Sequence, residues 1–121
     1  MSHATQKTWR VFSSEERKII QGIFEGKGFS NKDLFEVKKT LRDCLIAMIE
    51  YRQMCSVLKG SEFVIKSQEQ MQKIKEAEAK LESFGALTEG DFRRLTVLLV
   101  HKSTKYSHHT IETAVREAIS V

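Results

Sequence analysis

The chain has 121 residues, a net charge of +4 and 30% charged residues, which fits one globular domain with a single core. No run approaches the roughly 18 apolar residues that a membrane span needs, and residues 1–7 lack the apolar segment of a signal peptide. We therefore expect an intracellular, cytoplasmic protein without membrane contact. The sequence contains no proline, and because proline interrupts helices, its absence favours long helices with short connections.

Four short segments predict helix N-termini in the same way. Each has an apolar residue followed by Ser or Thr, whose hydroxyl can accept a hydrogen bond from a free backbone N–H of the first turn. In the first three segments an acid follows three residues later, at the capping-box position and near the positive end of the helix dipole. The predicted N-caps are Ser13, Ser30, Thr88 and Ser107, and the acids are Glu16, Asp33 and Asp91.

The first predicted helix runs from about Ser14 to Glu25 and ends at Gly26-Lys-Gly28. Apolar spacing places Ile19, Ile20, Ile23 and Phe24 on its inward face. The second predicted helix runs from about Asn31 to Leu58, is about 40 Å long, and is ended by Gly60.

The two cysteines, Cys44 and Cys55, fall on the apolar stripe of the second helix. Eleven residues of helix separate them by about 16 Å, which is too far for a disulfide. We expect two buried, reduced thiols, as is common in a reducing compartment.

The third predicted helix runs from about Phe63 or Lys66 to Phe84, where Gly85 ends it. Its apolar stripe is narrow, and two interpretations are open. The stripe can pack on the second helix within the chain, or it can face a partner or a second copy. In the second case the interface residues would be Met71, Ile74 and Leu81.

The fourth predicted helix, from Glu89 to about Lys102, is so rich in apolar residues that we expect it in the middle of the core. The fifth runs from His108 to about Ile119. The sequence thus predicts an all-α, single-domain bundle of about five helices over residues 1–121, with a long central helical hairpin. Residues 1–12, which include Trp9, would form a flexible or docking N-terminal arm.

The start of the fifth helix differs from the other three because its first turn, His108-His109-Thr110, has no acid. No Asp or Glu occurs from Phe92 to Ile111. A helix N-terminus without its acid favours anions, and nearby lysines and hydroxyls commonly contact phosphates. The predicted phosphate contacts, of which Lys102 and Lys105 should be exposed, are Arg93, Arg94, Lys102, Lys105, Ser107, His108 and His109.

The acid-free stretch from Phe92 to Ile111 also fits a simpler role. It can be a solvated basic loop, and His101 can be a buried, hydrogen-bonded side chain. The order of core helix, turn and polar helix start also fits a helix-turn-helix. The connection from Lys102 to Tyr106 lacks the glycine of a tight turn, so only a variant with a longer loop would fit. Adjacent histidines point about 100° apart on a helix, so a metal site is not expected. No known catalytic motif or cofactor loop occurs, and we expect neither enzyme activity nor a cofactor.

The sequence therefore favours a non-enzymatic, nucleic-acid-binding protein, DNA or RNA, in a regulatory or accessory role. The alternative is a helical protein–protein interaction module, such as an adaptor, an inhibitor or a self-assembling subunit such as a homodimer, that uses the second and third helices. Binding that weakens steeply with salt would indicate the first, and an apolar interface that tolerates salt would indicate the second.

Overall fold

A computed structural model describes residues 11–120, and within them lie five helices and no strand. The predicted all-α bundle is confirmed. The N-terminal arm lies outside the described residues up to position 10, whereas Val11 and Phe12 are buried in the core. The helices are α1 (Ser14–Gln21), α2 (Asn31–Val57), α3 (Gly60–Ser83), α4 (Glu89–Ser103) and α5 (His108–Ala118).

The four predicted N-caps are all confirmed, because each side-chain oxygen accepts a hydrogen bond from the backbone N–H three residues later. In α1 and α4 the acid also accepts a hydrogen bond from the cap backbone, which completes the capping box. These contacts fix where the chain enters each helix, so the helix order could be predicted from the sequence alone.

The central element of the bundle is α2, which packs extensively on α3 and also contacts α4 and α5. Its buried residues extend from Val37 to Ile49. The expectation that the fourth helix occupies the middle of the core is wrong. On α4 the buried residues are Leu95, Leu99 and Lys102, while Val97 faces solvent. Only one face of α4 packs against the core, so fewer of its apolar residues are buried than its composition suggested.

The α2–α3 hairpin has a shorter connection than the sequence predicted. Because α2 ends at Val57 and α3 begins at Gly60, only two residues join them. Gly60 begins α3, with φ of +69°, and does not serve to end α2. Within the hairpin, the buried Gln70 side chain donates a hydrogen bond to the Ala47 carbonyl at 2.9 Å.

The first helix ends earlier than predicted, at Gln21, and a turn leads to Gly26. Ile20, Ile23 and Phe24 are buried as expected, but Ile19 is exposed. No helix among residues 11–120 has the length and apolar character to cross a membrane.

Candidate functional site

The start of α5 has the cap that the sequence predicted. Thr110 N–H donates to Ser107 Oγ at 3.2 Å, and the two hydroxyl oxygens are 2.7 Å apart. No acid lies in the first turn. A threonine hydroxyl therefore occupies the place that an acid holds at the starts of α1, α2 and α4, and the positive end of the helix dipole has no carboxylate beside it.

Lys102 does not lie where the prediction placed it. It was expected on the surface, but the residue is only 9% exposed, and its Nζ is 2.8 Å from Glu16 Oε1. The same Glu16 oxygen accepts a hydrogen bond from Ser13 N–H at 2.9 Å. The assignment of Lys102 as an exposed phosphate contact is therefore wrong. Its aliphatic stem is covered by the core, and the charge at its end is neutralised by the capping box of α1.

The Glu16 carboxyl responds to this arrangement. Burial alone would raise its pKa, but the hydrogen bonds from Lys102 and Ser13, together with the Lys102 charge, outweigh it and lower the pKa from the ordinary value of 4.5. The ion pair therefore joins the start of α1 to the end of α4, two elements that are far apart in sequence.

The two arginines of the acid-free stretch also have acidic partners. Arg93 lies 3.5 Å from Glu89 and Arg94 lies 3.5 Å from Asp91, and both side chains are exposed. Glu89 and Asp91 lie just before the acid-free stretch, which begins at Phe92. The positive charge available to a ligand is therefore smaller than the residues of the stretch alone suggest. Exposed pairs of this kind are weak, and a competing phosphate could displace the acids.

Three side chains in and beside the α4–α5 turn remain open to a ligand. Lys105 is exposed and has no acidic partner among residues 11–120, and His109 is exposed as well. His101, which the sequence left open to burial, is also exposed. His108 is half-buried, and its Nδ1 atom is buried without a hydrogen-bond partner. Of the predicted set, the structure thus brings Lys105, Ser107 and His109 to one exposed end of the bundle.

A second site, which the sequence did not reveal as one site, is a groove between α2, α3 and α4. Helices α3 and α4 both pack on α2 but have little contact with each other, so α2 forms the floor and the other two form the walls. The groove contains a cavity of about 250 Å³. It is lined by Met48, Tyr51, Arg52, Cys55, Met71, Ile74, Phe92, Thr96, Leu99 and Val100.

The residues that the sequence suggested for a protein interface divide between this groove and the core. Leu81 is fully buried and belongs to the core, so its placement in an exposed interface is wrong. Both Ile74, which is almost fully buried, and Met71, which is half-buried, line the groove from α3. A partner in the groove would contact Met71 first.

The two cysteines have different surroundings, although both were expected to be buried. Cys44 is buried as expected, and burial together with the nearby Glu78 charge raises its pKa to about 12. Cys55 is exposed and lines the groove. Its predicted burial is therefore wrong. The thiols are both free, and only the Cys55 thiol is accessible to a reagent or a partner.

A larger cleft of about 540 Å³ lies between α2, α3 and α5. Acidic and basic side chains alternate around it, among them Asp43, Glu50, Lys73 and Arg116. Nothing in this mixed, open surface resembles a nucleophile with its base. Residues 11–120 contain no cluster of histidine, cysteine or acidic side chains that could hold a metal ion.

The chain was compared with protein-family models, curated proteins and solved structures, and none of them matches.

Proposed function

We propose that the protein is a non-enzymatic interaction module that holds an amphipathic helix of a partner protein in the groove between α2, α3 and α4. The observation that carries this proposal is the groove itself. It is open and mainly apolar, and it is lined by three helices whose side chains are held by the core below them.

The size of the groove favours a helix over a small molecule. Its cavity of about 250 Å³ lies below the roughly 300–1,000 Å³ typical of small-molecule sites. The wall from Phe92 to Val100 is about 12 Å long, or about two helical turns. An amphipathic helix presents apolar anchors at such spacing, and Met48 and Met71 can adjust their shape to different anchors.

The charge of the groove suggests one further property of the partner. Arg52 is the charged residue among those that line the cavity. Its Nε donates to Ser103 Oγ at 3.0 Å, and the guanidinium has no acidic partner among residues 11–120. A guanidinium keeps further N–H donors after one bond. We therefore expect the partner helix to carry an acid beside its apolar anchors.

The test is a selection from a displayed library of helical peptides, with counter-selection on the Cys55→Arg variant. Cys55 is exposed, so the substitution should block the groove without unfolding the chain. The expected peptides carry apolar residues at helical spacing with a neighbouring acid, and they bind the wild type only. Peptides that bind both proteins equally would place the interaction elsewhere and would count against the groove.

Cys55 also supplies a direct readout. At mildly alkaline pH an alkylating reagent should modify Cys55 and leave Cys44 unmodified, because the Cys44 thiol is buried with a raised pKa. A selected peptide should slow the alkylation of Cys55, and a shuffled peptide of the same composition should not. An unchanged rate in the presence of bound peptide would exclude the groove as the binding site.

Nucleic-acid binding at the α4–α5 turn is the second candidate. It is favoured by the exposed Lys105 and by the start of α5, which has no acid. The test is binding to duplex DNA, single-stranded DNA and RNA across a salt series. Few cations remain available, so the salt dependence should be shallow. Lys105→Glu should abolish binding, whereas Lys39→Glu, at another exposed lysine, should not. Equal effects of the two substitutions would indicate general charge attraction.

A further inference from the structure

The outer end of the α2–α3 hairpin, residues 50–69, contains no buried residue, and we name it the tip. The last buried residue of α2 is Ile49, and the first buried residue of α3 is Gln70. Every residue between them is exposed or half-buried. Each arm of the tip has about ten residues and is therefore about 15 Å long.

The tip carries large apolar side chains that are 51–65% exposed to solvent. Val57, Val64 and Ile65 are three of the six large hydrophobic residues that are exposed in the described chain. Val57 shares one shallow depression of α2 with Glu50, Met54 and their neighbours. A partner that covers Val57 therefore also reaches Glu50.

The charge of the tip is neutral, whereas the chain as a whole carries +4. The tip has three basic residues, Arg52, Lys59 and Lys66, and three acidic residues, Glu50, Glu62 and Glu69. The tips therefore add no net charge repulsion to the approach of two positively charged copies. An arrangement in which the tips overlap brings together the parts of the two copies that carry no net charge.

The unpaired basic and acidic residues lie at opposite ends of the tip, which favours pairing with a second copy that runs in the opposite direction. Lys66 is paired with Glu62 at 3.1 Å, and Arg52 is bonded to Ser103. Lys59 at the outer end, and Glu50 and Glu69 at the inner end, have no ion-pair partner among residues 11–120. When two tips overlap in opposite directions, the outer end of each copy lies beside the inner end of the other.

We propose that two copies of the chain associate through their tips in an antiparallel, two-fold arrangement. The four arms form a short four-helix bundle that covers Val57 and Ile65, and Lys59 of each copy faces Glu50 and Glu69 of the other. A two-fold interface uses the same surface on both copies, so each contact occurs twice. Since the tip has only about 20 residues and not all of them face the partner, the interface is smaller than a standard one. The dimer is therefore weak and depends on concentration.

The first test is the mass in solution from micromolar to millimolar concentration, measured by sedimentation equilibrium. The mass should rise from 13.9 kDa toward twice that value. Val57→Glu should remain monomeric at every concentration. Val97→Glu is the matched control, because Val57 is 65% and Val97 is 64% exposed. A wild type that stays monomeric at millimolar concentration, or an equal effect of the two substitutions, would overturn the proposal.

The second test is a charge exchange. Lys59→Glu alone, and Glu50→Lys with Glu69→Lys in one chain, should each weaken self-association by about tenfold, because both charge clusters of the dimer, each made of residue 59 of one copy and residues 50 and 69 of the other, become repulsive. Mixing the two variants should restore association as a heterodimer, in which both charge clusters are attractive again. The proposed orientation would be contradicted if either variant self-associated as strongly as the wild type. It would also be contradicted if the mixture associated no more strongly than each variant alone. Both tests leave the groove proposal untouched, since they use neither Cys55 nor a peptide.

Discussion

At the scale of single residues, the ion pair between Glu16 and Lys102 should contribute to stability. Lys102→Glu would place two carboxylates together beneath the surface. Removing one partner of a buried pair costs about 3–5 kcal/mol, and the lower end applies here because both side chains keep some exposure. We expect a loss of about 3 kcal/mol in the free energy of unfolding, measured with urea. Lys105→Glu, at an exposed position, is the control and should change it by less than about 0.5 kcal/mol.

The same pair predicts a pH dependence. The folded protein lowers the pKa of Glu16, so the contribution of this group to stability is complete above the ordinary pKa of 4.5 and is lost as the pH falls through the lower, folded value. Unfolding by urea at a series of acidic pH values should therefore show a steeper decline for the wild type than for Glu16→Gln. If the free energy of unfolding fell equally with pH in the two proteins, carboxyls other than Glu16 would cause the pH dependence.

At the scale of helices, the missing acid of α5 can be supplied. Thr110→Glu places a carboxylate in the first turn and should stabilise the protein by about 0.5 kcal/mol through the helix dipole. Thr113→Glu, one turn further along the same helix, is the control and should have little effect, because the interaction fades after the first turn. Thermal unfolding of the three proteins measures the difference. Equal shifts for both substitutions would reject a dipole effect.

The N-cap of this helix is a separate contribution. Ser107→Ala removes the acceptor for Thr110 N–H and should cost about 1 kcal/mol. Thr88→Ala at the start of α4 provides a comparison, since that cap also belongs to a capping box. If Ser107→Ala left the free energy of unfolding unchanged, water would replace the hydroxyl as the acceptor at this helix start.

Helix starts were the most predictable feature of this chain, and the surroundings of individual side chains were the least. Caps depend on residues three positions apart, which a sequence displays directly. Lys102 is buried because Glu16, more than eighty residues earlier, meets it in space. Cys55 lies on the predicted stripe, yet it is exposed, because the buried part of α2 ends at Ile49. Contacts between distant segments, which also form the groove, are not visible in the local pattern.

At the scale of the whole molecule, the protection of backbone amides from hydrogen exchange should differ between the two parts of the long helix α2. Its residues from Val37 to Ile49 contact the other helices, whereas the tip has no buried residue. Hydrogen exchange at low protein concentration should therefore be slowest in the first of these segments and fast in residues 50–69. Equal protection along all of α2 would mean that the helix opens as one unit.

The two-residue connection between α2 and α3 also has a consequence for the route by which the chain folds. The most extensive packing in the molecule joins segments that are neighbours in sequence, so little chain entropy is lost before these contacts form. The sequence contains no proline, so no peptide bond should require the isomerisation that delays other chains by about 10–100 s. Stopped-flow refolding of the monomer should then show one fast phase. The hairpin at the centre of the folded bundle would then be the segment in which structure begins during folding.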